Sequence, residues 1–190
     1  MSAALARNYT IIIDKSGSMS TADVNGKSRW LAAQESTLAI ARHVEALDPD
    51  GLTVYFFSGS FKRHDNVKSD AVEKVFKEHA PLGSTALHLV LEDALAKAQN
   101  PETILVITDG EPDDRQAVEK AIVNVTNKIE NGEELAISFF QVGSDASAQK
   151  FLQGLDDDIK GAKFDIVDTK TFTEIEAIGI EAALLAAIND

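Results

Sequence analysis

Residues 9–19 read Tyr9-Thr10-Ile11-Ile12-Ile13-Asp14-Lys15-Ser16-Gly17-Ser18-Met19. Tyr9–Ile13 is a short, mainly β-branched run that breaks off into a polar turn, the pattern of a strand buried on both faces. Thr103–Thr108 (TILVIT) repeats it and ends in Asp109-Gly110-Glu111-Pro112. Leu52–Phe57 and Leu135–Val142 predict further strands, Phe164–Val167 a last one, and Phe61–His64 a short edge strand. Helical periods lie between them. Trp30, Ala33, Thr37, Ile40, Val44 and Leu47 recur at three- and four-residue steps, a helix face stopped by Asp48-Pro49-Asp50-Gly51. Ser69–His79 predicts a short helix capped by Ser69 or Asp70, and Thr85–Gln99 a longer one ended by Asn100-Pro101. Val118, Ile122, Val125 and Ile129 mark a helix capped by Asp113 or Asp114 and closed by Asn131-Gly132. Ala146–Leu155 is a short helix, and Thr171 with Glu174 spells a capping box for a C-terminal one.

Strands alternating with helices at this spacing predict βαβ units and a mostly parallel sheet with helices on both faces. The expected fold is a three-layer, doubly wound, Rossmann-like α/β sandwich in a single domain, 1–190. Such sheets bind ligands at the carboxyl ends of their strands, where the strand order reverses. The residues directly after the apolar runs are therefore the functional candidates.

Composition narrows the chemistry. With 44% hydrophobic and 26% charged residues over 190 positions, the chain is an ordinary globular sequence. It has no cysteine, which excludes thiol catalysis, zinc ribbons and a disulfide framework. Against 31 Asp and Glu stand 18 Lys and Arg, a net charge of −13 that repels nucleic acid and anionic lipid and favours cations and basic or metal-bridged partners. Met1–Asn8 has no apolar signal segment, and Ala177–Ile188 is too short to span a bilayer and is interrupted by Glu181. A soluble, cytoplasmic protein that binds neither nucleic acid nor membrane is expected.

Three polar clusters carry the chemistry: Asp14 to Met19, Gly83-Ser84-Thr85, and Thr108 to Pro112. Asp14, Ser16, Ser18, Thr85 and Asp109 supply two carboxylates and three hydroxyls, with no His and no thiolate. Hard oxygen donors suit Mg²⁺, Mn²⁺ or Ca²⁺ and not zinc or copper. Alternation in Asp14-x-Ser16-x-Ser18 aims three side chains one way, with Gly17 allowing the chain to bend between them.

This five-part pattern resembles the metal-ion-dependent adhesion site of von Willebrand factor A (VWA) domains, and the resemblance spans essentially the whole chain, as a stand-alone bacterial-type domain. It implies a mostly parallel sheet with one short antiparallel edge strand. It also implies that Ser16, Ser18 and Thr85 bind the metal directly, while Asp14 and Asp109 act largely through water and hydrogen bonds. Three neutral hydroxyls leave a divalent ion poorly neutralised, which favours a Glu or Asp carboxylate from a partner protein. Movement of Asp109 into direct contact would make the ion less electrophilic and lower partner affinity. Lys15, Met19, Ser84 and Glu111 flank these positions and are the candidate partner-facing residues. The implied function is a non-enzymatic adaptor in a larger assembly, of the kind built around AAA+ ATPases or stress-response systems.

Plainer readings stand beside this one. Thr85 can be a helix cap, Asp109 a turn residue, and Asp113, Asp114 and Glu111 charges favoured at a helix N-terminus. Gly26-Lys27-Ser28 is not a phosphate loop, since Thr21 stands where the motif needs its first glycine; Asn25-Gly26 is a turn signal. Asp156-Asp157-Asp158 reads as a solvated loop, and the four histidines show no ligand spacing. A metal-dependent hydrolase or phosphotransferase of haloacid-dehalogenase type would need a second carboxylate two residues after Asp14, where Ser16 stands. A subunit with a purely structural metal is the third reading.

Overall fold

A computed structural model describes residues 7–45, 50–99, 101–157 and 159–189. Its strands are β1 (Asn8–Asp14), β2 (Leu52–Phe57), β3 (Phe61–Val67), β4 (Glu102–Thr108), β5 (Leu135–Gln141) and β6 (Val167–Thr171). Its helices are α1 (Arg29–Val44), α2 (Val72–Lys77), α3 (Leu87–Lys97), α4 (Arg115–Thr126), α5 (Ala146–Asp157), α6 (Phe172–Ile178) and α7 (Ile180–Asn189).

The strands form one sheet in the order β3-β2-β1-β4-β5-β6, parallel except for β3, which returns antiparallel along β2. Ile11 of β1 lies opposite Val54 of β2 on one side and Leu105 of β4 on the other. The chain winds outward from β1 in one direction and then from β4 in the other, so the reversal point falls between these two strands.

Side-chain alternation in the central strands builds two cores. Ile11, Ile13, Leu105, Ile107 and Phe140 pack with residues of α1, α2, α6 and α7, among them Ile40, Phe76, Ile175 and Leu184. Ile12, Ile104, Val106, Ile137 and Phe139 face α3, α4 and α5, including Leu91, Ile122 and Leu152. Each fully buried Ile, Leu or Phe contributes about 1.5–3 kcal/mol, which is why strands this short hold the centre of the molecule.

The structure bears out the doubly wound α/β class and adjusts several boundaries. The edge strand β3 runs on to Val67, three residues beyond the expected His64. Ser69 does not cap a helix: its amide and hydroxyl bind the Glu45 carboxylate at 3.0 and 2.8 Å, and a 3₁₀ turn, Ser69–Ala71, precedes α2. Asp114, not Asp113, caps α4 by accepting from the Ala117 amide at 2.9 Å. Asn131-Gly132 does not close that helix but opens a 3₁₀ turn with its own capping box. The last strand is Val167–Thr171 rather than Phe164–Val167. Its place is set by pairing of Val167 with Ile137 through Thr171 with Gln141, and an edge strand needs few apolar residues. Thr171 and Glu174 form the capping box expected, but the C-terminal helix is two helices, broken at Gly179 (φ 85°). Asp156 is not merely solvated, since its carboxylate accepts from the Thr169 amide at 2.9 Å. Leu47, Asp48, Pro49, Asn100 and Asp158 lie outside the described residues.

Candidate metal centre

Asp14 is the last residue of β1, and Asp109 follows the last residue of β4, so the reversal point brings the two carboxylates to one crevice. Asp14 is fully buried. Its Oδ1 accepts from the Ser16 amide at 2.7 Å and its Oδ2 from the Thr108 hydroxyl at 2.7 Å. Burial nonetheless pushes its carboxyl up to about 6, and the nearby Asp109 pushes the same way against these hydrogen bonds. Ser16 is extended and leads into a 3₁₀ turn, Gly17–Ser20. The bend sets the Ser16 and Ser18 Oγ atoms 3.1 Å apart in a shared hydrogen bond. Ser18 donates onward to Asp109 Oδ1 at 2.9 Å.

The third loop is stitched to the other two through the backbone. The Gly17 amide donates to the Gly83 carbonyl at 3.1 Å, and the Leu82 amide to the Lys15 carbonyl at 2.7 Å. Thr85 donates its amide to Asp113 Oδ1 at 3.1 Å while the Asp113 amide donates back to the Thr85 carbonyl at 2.9 Å. Helix α3 begins only at Leu87, with Ala86 in the cap position, so Thr85 is not its cap. All three loops predicted to carry the site thus meet.

The partner-facing candidates divide. Ser84 is exposed, and Lys15 is half-buried with its Nζ donating to Ser58 Oγ at 3.1 Å. Glu111 is half-buried and accepts from Arg115 and Ser147. Met19 is corrected: it is fully buried in the core beneath the 3₁₀ turn, where its apolar side chain anchors the loop and is closed to a partner.

Sequence reasoning missed Arg29. Its Nη1 donates to Asp109 Oδ2 at 2.7 Å, while Nε and Nη2 grip Asp23 at 3.0 and 2.6 Å. Asp109 is fully buried in this pair, and the two carboxylates hold the guanidinium firmly in its charged form. The missed signal was positional. Arg29 is the first residue of α1, just after the Ser28 cap, where the helix dipole disfavours a cation.

The donor set fits a hard divalent ion. Two ligands at right angles on an octahedral ion with bonds of about 2.1 Å stand about 3.0 Å apart. The Ser16 and Ser18 hydroxyls meet that spacing at 3.1 Å, and Asp109 Oδ1 lies 2.9 Å from Ser18 Oγ. Among the described residues no three His, Cys, Asp or Glu side chains converge on a metal-sized site. An ion here would therefore rest on hydroxyls, two carboxylates and water.

A doubly wound sheet with one antiparallel edge strand, and a crevice of hydroxyls and carboxylates at its reversal point, defines a VWA-type domain. The chain belongs to the vWA-TerF-like family, the vWA domain found in the TerF C terminus, whose family model matches residues 6–184. Solved structures agree on the fold. The PilB minor pilin from Streptococcus sanguinis is similar over 97% of this chain and 60% of its own, with a TM-score of 0.62 at 15% identity. The von Willebrand factor type A protein from Catenulispora acidiphila is similar over 96% of this chain and 42% of its own, with a TM-score of 0.60 at 18% identity. The Deinococcus radiodurans RO (RSR) protein is similar over 97% and 34%, with a TM-score of 0.58 at 17% identity. The chain spans less than two thirds of each. No curated protein sequence matches it. Family membership supports a protein-interaction module. Among the described residues no helix is long and apolar enough to cross a membrane.

Proposed function

We propose that the chain is a divalent-cation-dependent protein-binding module that recruits a partner through a metal-ion-dependent adhesion site. Ser16, Ser18 and Thr85 would hold Mg²⁺ or Mn²⁺, with Ca²⁺ the third candidate, and Asp14 and Asp109 would act through hydrogen bonds and water. The observation that carries this reading is the pair of serine hydroxyls at the spacing of adjacent octahedral ligands, next to Asp109 Oδ1, at the sheet's reversal point. When bound, the ion supplies an electrophilic position for a Glu or Asp carboxylate of the partner. The chain's own residues hold the oxygens in place. Thr108 and the Ser16 amide fix both oxygens of Asp14, and Ser18 and Arg29 fix those of Asp109.

The reading is non-enzymatic. A phosphoryl-accepting Asp14 would need a free oxygen aimed at substrate, whereas both of its oxygens are engaged in a fully buried position. The partner is a protein bearing an accessible acidic residue, and the module's place is as an adaptor in an assembly, with AAA+ ATPase and stress-response machines the candidate kinds.

The test is affinity capture from the native host's lysate, using the wild-type chain with Mg²⁺, the wild-type chain with EDTA, and Asp14→Ala with Mg²⁺. A partner held only by the first sample is the expected result. One held equally by all three would overturn metal-dependent recognition and leave any ion a structural role.

A further inference from the structure

Arg29 joins three parts of the molecule that meet beside the candidate metal centre. One edge of its guanidinium holds Asp109 Oδ2, and the other holds both oxygens of Asp23 in the loop before α1. The group lies against Gly143, just after β5. Gly143 has φ +77°, and a Cβ there would stand 2.7 Å from Arg29 Nε and 2.9 Å from Cζ. No side chain fits in that space while the guanidinium is in place. The position is also unfavourable for helix α1 itself, whose first turn favours negative charge and is already capped by Ser28. Arg29 is thus placed at a cost to its own helix, in a slot kept clear by a glycine, with its charge on one of the site's two carboxylates.

We propose that Arg29 is a positioning residue of the metal centre: it holds Asp109 by Oδ2, turns Oδ1 toward Ser18, and as a resident cation lowers the site's affinity for a divalent ion. This rests on the metal-dependent reading above. Asp14, Asp109 and Asp23 bring three carboxylates to this side of the molecule; with Arg29 held between Asp109 and Asp23, an incoming ion meets one negative charge fewer than it would without the guanidinium. The same grip opposes the swing that would bring Asp109 into direct contact, so an ion held by the hydroxyls stays electrophilic toward a partner carboxylate. A loop staple of purely structural purpose would change stability and leave ion affinity where it was.

The test is Mn²⁺ binding to the intact chain, read from the electron paramagnetic resonance signal of free Mn²⁺, in wild type, Arg29→Gln, Gly143→Ala and Asp14→Ala. Gly143→Ala crowds the guanidinium without removing a charge, at the added cost of an alanine at φ +77°, and is compared with Arg29→Gln at a temperature where both are folded by circular dichroism. Arg29→Gln is expected to tighten Mn²⁺ about tenfold or more, the order of change that removing one nearby unit charge makes for a divalent ion at high effective dielectric. Gly143→Ala should shift affinity the same way by less, and Asp14→Ala should abolish binding. If wild type and Arg29→Gln bind Mn²⁺ equally, the metal reading stands and this inference fails. If neither binds at millimolar Mn²⁺, the metal reading fails and takes this inference with it.

Discussion

His64 and His79 meet through their Nε2 atoms at 3.0 Å, and the His79 ring stacks on Phe56 with centroids 4.1 Å apart. A shared hydrogen bond between two imidazoles needs at least one of them neutral. Burial pulls His79 down to about 4, helped by His64, Lys62 and Lys15 and opposed by Glu78. An unfolded histidine titrates near 6.5, so on acidification the unfolded chain takes up this proton first. The stability that neutral His79 contributes is present above about pH 6.5 and is lost as the pH falls through about 4. Thermal melts at pH 7 and pH 4.5 should therefore show a smaller acid-induced drop for His79→Gln than for wild type. Equal drops would mean that other groups, His64 and the carboxylates among them, set the acid limit. At this scale Asp14, Ser16, Ser18 and Asp109 were legible in the sequence because Asp14 and Asp109 stand at the ends of apolar runs and Ser16 and Ser18 lie in the polar turn that follows the first. Arg29 was not, since its partners Asp109 and Gly143 lie far away in the chain and only packing brings them together.

Helices α6 and α7 show how local signals place an element and where they stop. Thr171 caps α6: its hydroxyl accepts from the Glu174 amide at 3.3 Å, and Glu174 accepts from the Thr171 amide at 2.7 Å. Thr171→Ala removes the hydroxyl half of this box and should cost about 1 kcal/mol in urea unfolding, the usual loss for a capping residue. A change below about 0.3 kcal/mol would show that packing of Ile175 and Leu184 alone holds the C-terminal segment against the sheet. The box was readable because it spans four consecutive residues. The placement of β6 was not, because an edge strand is defined by pairing with β5 and by the Asp156 carboxylate that receives the Thr169 amide.

For the molecule as a whole, ion binding and folding share one free energy. An ion that binds only the folded chain stabilises it by about 2.7 kcal/mol at a concentration of 100 Kd. For a domain of 190 residues that is a rise in Tm of about 5–10 °C. Wild type in saturating Mg²⁺ should show it over wild type in EDTA at constant ionic strength. Constant ionic strength matters because a net charge of −13 makes the fold sensitive to screening by any salt. Asp14→Asn should lose the rise. In EDTA it should unfold no earlier than wild type, since it removes a fully buried charge while the amide oxygen still accepts from Ser16. An equal Mg²⁺ response in both proteins would assign the effect to cation binding away from this site.

The sequence by itself determined the layered α/β fold and the three loops that meet at the candidate site. Apolar runs of strand length, spaced by helical periods, have no other way to bury both faces of a sheet. It determined the hard-oxygen character of the site as well, because donor chemistry belongs to residue type. Only the tertiary structure decided that Met19 turns inward, that Thr85 is left out of the cap of α3, and that Arg29 reaches Asp109. Those outcomes depend on which surfaces meet when β1 and β4 lie side by side, and no window along the chain contains both strands.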